Sequence, residues 1–168
     1  SEPEKMEAII TSIQPFCVIN TAAYTAVDKA ESEHELALKI NATAVVMLAK
    51  ICKQHQIHFI TYSTDYVFDG QATHPYPTNH KIDPVNFYGV SKAKGEEGAI
   101  AENEQSIIIR TSWVFSSHGN NFVKTMLRLM KERPQLNIVA DQVGRPTYAK
   151  DLATATMLMV VALNTGKK

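Results

Sequence analysis

The sequence predicts a doubly wound parallel α/β sheet, and three observations carry that prediction. Apolar segments of strand length alternate with segments of 3.6-residue periodicity along the chain. The strand candidates are short and continuously apolar, as expected of strands covered on both faces. Residues 20–25, 63–66 and 111–113 each follow directly on such a run, and ligands of these sheets gather at the carboxyl ends of strands.

Residues 4–13 form a short amphipathic helix in this scheme, and residues 16–20, after Pro15, a buried strand. Ser32 and Glu35 make a capping box for a long helix reaching about residue 54, with Leu36, Ile40, Ala44, Leu48 and Ile51 on one face. Residues 57–62 are the next strand. A loop rich in Pro, Asp and Gly covers about residues 63–84, and Asp69-Gly70 within it is a turn signal. A helix over 87–102, a strand over 107–110 and an amphipathic helix over 121–132 follow, the last closed by Pro134. Residues 136–139 read as a brief strand and 150–163 as a final, strongly apolar helix. The cluster Met126, Leu127, Leu129 and Met130, like the run 157–161, is assigned to a core or a subunit interface.

A chain of 168 residues can build one domain with a sizeable core, here a partial dinucleotide-binding and catalytic domain over residues 1–168. Hydrophobic residues at 45% and charged residues at 20% are ordinary for a soluble protein. Seventeen basic residues balance seventeen acidic ones without a basic run, which disfavours nucleic acid and anionic membrane as partners. No apolar stretch approaches the roughly 20 residues that cross a bilayer. The acidic, helical N-terminus is not a secretory signal, so a cytoplasmic location is expected. Opening at Ser1 without an initiator methionine suggests a trimmed chain or a missing beginning. Cys17 and Cys52 form no CxxC motif and read as buried free thiols. His55 and His58 straddle a helix end without supporting ligands, so no metal is assigned.

The chemistry lies in Thr64, at the end of a strand, with Tyr88 and Lys92. The last two stand at i and i+4 and share a helix face. An ordinary phenol has a pKa of about 10, and a nearby ammonium favours its phenolate. Tyr88 is then a general acid for a carbonyl oxygen, Thr64 a donor to that oxygen, and Lys92 a donor to a ribose that fixes a nicotinamide. YxxxK alone is weak, because chance supplies on the order of half a match in such a chain. Its placement after a strand-end hydroxyl and a long loop strengthens it. No glycine-rich dinucleotide turn precedes it, so the chain reads as the middle of a reductase and is expected to be inactive on its own.

Five blocks resemble the extended short-chain dehydrogenase/reductase family. They are residues 18–31, the segment Ser63-Thr64-Asp65-Tyr66-Val67-Phe68-Asp69-Gly70, Tyr88-Gly89-Val90-Ser91-Lys92, residues 110–115 and residues 141–147. The resemblance implies a Rossmann-like fold, NADPH or NADH as cofactor, and a dTDP-sugar substrate. The implied reaction reduces the 4-keto group of dTDP-4-dehydro-6-deoxy-L-mannose to give dTDP-L-rhamnose. It assigns Thr64, Tyr88 and Lys92 to catalysis, and Ala22, Ala23, Tyr24 and Ser63, with Tyr88 and Lys92, to the cofactor. Asp65, Tyr66 and Trp113 fall where the family approaches substrate, although a core aromatic is as good a reading of Trp113 alone.

Arg145, between Gly144 and Pro146, either aims a guanidinium at a diphosphate or is an exposed turn residue. Asn41 reads as a satisfied, half-buried amide. A homodimer of the full-length protein is left open. So are a non-catalytic regulatory subunit of the same fold and a related nucleotide-sugar epimerase or dehydratase.

Against the family pattern the fold is incomplete. The first strand and glycine-rich turn, whose helix N-terminus holds the pyrophosphate, have no counterpart, nor does the C-terminal portion that closes over the sugar. Impaired cofactor binding and self-association through exposed edges are the corresponding expectations. Thr78 and His80 replace acidic residues that the family usually carries in its long loop.

Overall fold

The computed structural model describes residues 3–166, which contain seven α-helices and five strands. The chain groups into two compact units, one ending at Arg110 and one beginning at Thr111.

In the first unit α1 (Pro3–Ile13) leads into β1 (Cys17–Asn20). Strand β1 runs parallel to β2 (His58–Thr64), with Cys17 opposite His58 and Asn20 opposite Thr61. β3 (Ile107–Thr111) completes a sheet of order β1-β2-β3. Parallel pairing sets the carboxyl ends of β1 and β2 on one edge, and β2 runs three residues past the Asn20–Thr61 pair. β2 is the best-covered strand: Phe59 and Ile60 are fully buried, each stabilising by about 1.5–3 kcal/mol. Val45, Leu48, Ile51 and Cys52 from α4 (Ala44–Gln54) and Ala99 from α5 (Phe87–Glu102) close over Phe59. Cys52 is a free thiol that burial raises to a pKa of about 12, and Cys17, half-buried, is raised by the same cause.

The single long helix expected from residue 32 is interrupted. Residues Val27–Ala30 form α2, His34–Leu38 form α3, and a π-helical turn, Lys39–Thr43, precedes α4. The Ser32–Glu35 capping box does not form. The Ser32 hydroxyl donates instead to the Lys29 carbonyl at 3.1 Å, and α3 starts after Glu33 without a side-chain cap. The π turn has a tertiary cause, because it carries Asn41 to partners on two other segments.

Helix α5 approaches that turn closely through Gly95. A Cβ there would stand 2.1 Å from the Asn41 carbonyl oxygen, and backbone cannot yield cheaply. Gly95→Ala is therefore expected to destabilise by about 1–3 kcal/mol or more, read as a lower urea midpoint.

The second unit pairs β4 (Val114–Phe115) in parallel with β5 (Thr147–Tyr148). It also holds α6 (Phe122–Glu132) and α7 (Ala149–Asn164). Asn121 caps α6 by accepting from the Lys124 amide at 3.1 Å. The brief strand expected at 136–139 is not found. Ile138 and Val139 are exposed and pair with no described strand, and Thr147–Tyr148 takes the ladder beside β4. An apolar run forms a strand only where a neighbouring strand accepts its backbone. The core reading of the methionine-rich helices is also corrected: Leu127, Met130, Met157, Leu158 and Val161 are all more than half exposed among the described residues. No described helix is long and apolar enough to cross a membrane.

Candidate active site

Strand β2 ends in two buried hydroxyls, Ser63 and Thr64. The chain then makes a 3₁₀ turn, Asp65–Val67, which Thr64 caps. Its Oγ1 accepts from the Tyr66 amide at 3.2 Å and donates to Asp65 Oδ1 at 3.1 Å.

The long loop returns to α5, whose first turn is doubly capped. Asn86 Oδ1 accepts from the Gly89 amide at 2.7 Å, and Glu31 Oε1 accepts from the Phe87 amide at 2.7 Å. A carboxylate is well placed at the positive end of a helix dipole. His34 stacks on Phe87 with ring centroids 3.7 Å apart, which fixes the same turn from α3. That turn carries Tyr88.

Gly89, beside it, lets α5 approach the Tyr66 carbonyl to a distance no Cβ would permit. The Tyr66 ring meets the Tyr88 ring edge-on at 5.7 Å. One turn later Lys92 is 5% exposed and donates to the Tyr62 carbonyl of β2 at 2.7 Å. Thr64, Tyr88 and Lys92 are thus gathered at the end of β2, with Ser63, Asp65 and Tyr66 around them.

The electrostatics differ from the expectation in one respect. Burial raises the Tyr88 phenol above its ordinary value. The Thr64 hydroxyl lowers it by hydrogen bonding, and the charges of Asp65 and Tyr66 push it further up. Lys92 does not counter this, so Tyr88 is a protonated phenol at neutral pH. Lys92 is itself lowered by burial and raised by Glu96. Asp65 is raised by burial, against hydrogen bonds from Thr64 and the backbone.

The loop after β1 is held by Asn41, 1% exposed on the π turn. Its Oδ1 accepts from the Tyr24 amide at 2.8 Å, and its Nδ2 donates to the Tyr24 carbonyl at 3.0 Å and to Ser91 Oγ at 2.9 Å. Ser91 in turn donates to the Tyr88 carbonyl at 2.7 Å. One amide therefore ties the Ala22-Ala23-Tyr24 segment to the helix of Tyr88 and Lys92. Ala22 and Ala23 are exposed, and the Ala22 amide donates to Asn20 Oδ1 at 3.2 Å. The Tyr24 hydroxyl donates to Glu33 at 2.7 Å, and that bond raises its phenol to a pKa of about 12.

A polar cavity of about 10 Å³, the size of one water, is lined by Asn41, Thr61, Ser63, Lys92 and Glu96, with Tyr62, Val45 and Gly95. The Ser63 hydroxyl is buried beside it with no hydrogen-bond partner.

Trp113 and Arg145 lie in the second unit and come together there. Trp113 takes a left-handed backbone, φ 45°, and its indole is 44% exposed, so it is no core aromatic. Gly144 lies against that indole, where a Cβ would stand 2.6 Å from Cε2. The Arg145 carbonyl accepts from Ser112 Oγ at 2.7 Å, and the residue is exposed.

Sequence reasoning missed Glu31, Ser91, Glu96 and Arg110. Glu96 had a signal in the sequence: it continues the four-residue spacing of Tyr88 and Lys92 along one face of α5. Glu31 and Arg110 lie in the blocks that carry the family resemblance, but their contacts are tertiary and nothing in the sequence pointed to them.

A parallel α/β sheet with a strand-end hydroxyl, and with a tyrosine and a lysine on one face of the helix that follows, defines a Rossmann-like protein of the short-chain dehydrogenase/reductase type. Comparison with known proteins narrows the class. The family model described as the RmlD substrate binding domain matches residues 1–167. The dTDP-4-dehydrorhamnose reductase of Escherichia coli K12 is 47% identical over 165 residues, covering 98% of this chain and 55% of that protein. That of Aggregatibacter actinomycetemcomitans is 45% identical over 160 residues, covering 95% and 54%. The crystal structure of dTDP-4-dehydrorhamnose reductase from Bacillus anthracis in complex with NADP superimposes with a TM-score of 0.91 at 40% identity, covering 95% of this chain and 57% of that one. The chain belongs to the RmlD substrate binding domain family. It spans about half the length of the curated relatives it matches.

Proposed function

We propose that the whole protein reduces the 4-keto group of dTDP-4-dehydro-6-deoxy-L-mannose to dTDP-L-rhamnose, with NADPH or NADH as reductant. The observation that carries this reading is the gathering of Thr64, Tyr88 and Lys92 at the end of β2, with Tyr88 buried and protonated. The names of its relatives support the choice of sugar.

The residues present fit the ribose and nicotinamide end of a dinucleotide. Ser63 has a buried hydroxyl with no partner, and the Lys92 ammonium has three N–H groups, of which the Tyr62 carbonyl takes one. Ser63 and Lys92, with the segment Ala22-Ala23-Tyr24, would hold the ribose and nicotinamide. When bound, the reduced nicotinamide supplies the hydride.

The chain's own residues manage the oxygen. Thr64 donates a hydrogen bond to it as negative charge develops, and Tyr88 delivers the proton that completes the alcohol. Asp65 and Tyr66, on the turn next to Tyr88, orient the sugar. The family resemblance implies substrate contacts at Trp113 and Arg145, which are both exposed on the second unit.

Lys92→Met tests the cofactor assignment. The expected result is a nicotinamide KM raised at least about tenfold and a kcat lowered about 10²-fold. Unchanged steady-state constants would remove Lys92 from the site.

A further inference from the structure

Glu96 lies one turn beyond Lys92 on α5 and is 5% exposed. A buried carboxylate is costly unless it is paired, and Arg110 of β3 pairs with it. Arg110 Nε donates to both carboxylate oxygens, at 3.0 and 3.2 Å, and Nη2 donates to Oε2 at 2.6 Å. The same guanidinium donates from Nη1 to the Thr78 carbonyl at 3.1 Å and lies 5.0 Å over the Phe68 ring. It therefore rivets β3, α5 and the long loop at one point.

Lys92 and Glu96 line the same polar cavity. Arg110 fixes the carboxylate where its charge acts on the ammonium while leaving the ammonium on the Tyr62 carbonyl. We propose that Glu96 is a positioning residue for Lys92: gripped by Arg110, its carboxylate keeps the Lys92 ammonium charged and seated on β2.

Among the described residues, the titratable groups that line the cavity with Lys92 are Glu96 of its own helix and Tyr62 of β2, and Asn41 of the π turn and Val45 of α4 carry no charge. Tyr88 lies one turn earlier on α5, and Arg110 of β3 is paired with Glu96. Burial works against the ammonium and Glu96 works for it. The consequence for catalysis rests on the reductase reading, because that reading is what gives Lys92 a task.

The test reads Lys92 directly, by NMR titration of its side-chain nitrogen, assigned through its loss in Lys92→Met. Glu96→Gln, which keeps the shape and an acceptor for Arg110, is expected to raise the acid dissociation constant of Lys92 about tenfold. Glu96→Asp is expected to restore most of the wild-type value. Arg110→Gln releases the carboxylate toward the ammonium and is expected to move the constant the opposite way, which gives a second reading if Glu96→Gln does not fold. A folded Glu96→Gln with an unmoved Lys92 titration would overturn the proposal, as would a shift of the same sign in Arg110→Gln. No sugar or cofactor is present in this measurement, so its outcome is independent of whether the protein is a reductase.

Discussion

Tyr88→Phe is expected to lower kcat for sugar reduction by about 10²–10⁴-fold while the fold stays intact. The ring that packs edge-on against Tyr66 is kept, and the hydroxyl that would deliver the proton is lost. The Tyr88 side of the site then offers no acid in its place, because the Thr64 alcohol can donate a hydrogen bond to the oxygen but does not give up its proton near neutral pH. Steady-state kinetics with matched urea curves check both halves, and an unchanged kcat would take Tyr88 out of the mechanism.

The same residue sets an alkaline limit to stability. Its folded pKa lies above the unfolded value of about 10, so the unfolded state releases the proton first as pH rises. The contribution is complete below about pH 10 and is lost as pH climbs through the folded pKa. Tyr88→Phe is expected to remove that part of the alkaline loss.

Asn41→Ala carries the largest expected cost in stability, about 3–5 kcal/mol. Three hydrogen bonds disappear in a nearly solvent-free position, leaving the Tyr24 amide, the Tyr24 carbonyl and the Ser91 hydroxyl each short of a partner. Set against the 5–15 kcal/mol that holds a typical domain together, a loss of about that size is severe. Asn41→Asp is expected to rescue little. It keeps an acceptor for the Tyr24 amide but turns a carboxylate oxygen toward the Tyr24 carbonyl. Denaturant unfolding of both variants decides this, and an Asn41→Ala protein as stable as wild type would show that the network does not hold the loop.

The parts of the structure legible in sequence are those that local chemistry dictates. Helix α5 falls at residues 87–102 as expected, because Asn86 supplies a cap and four-residue spacing runs through it. Thr64, Tyr88 and Lys92 were identifiable because a strand end and one helix turn suffice to set their order. Asn41 was harder. Its amide is satisfied as expected, but its partner Ser91 is fifty residues away, and the π turn that presents it has no local signature.

The Ser32–Glu35 pattern had the right residues for a cap and lost to a tighter turn at Lys29. Residues 136–139 had the right apolarity and no strand to join. The phenol of Tyr88 shows the deepest gap. Lys92 stands at the spacing that would lower its pKa, yet burial raises the phenol and Lys92 does not offset it, and burial is a property of the assembled fold. The correction favours the proposed chemistry, since a general acid for reduction has to hold its proton.

The most direct test of the account is to give the whole protein NADPH and dTDP-4-dehydro-6-deoxy-L-mannose, and to follow the nicotinamide absorbance together with the sugar product. The predicted result is oxidation that depends on the sugar, with one dTDP-L-rhamnose formed for each nicotinamide consumed. Cofactor binding without oxidation, or a product epimerised with the nicotinamide returned to its starting redox state, would contradict it.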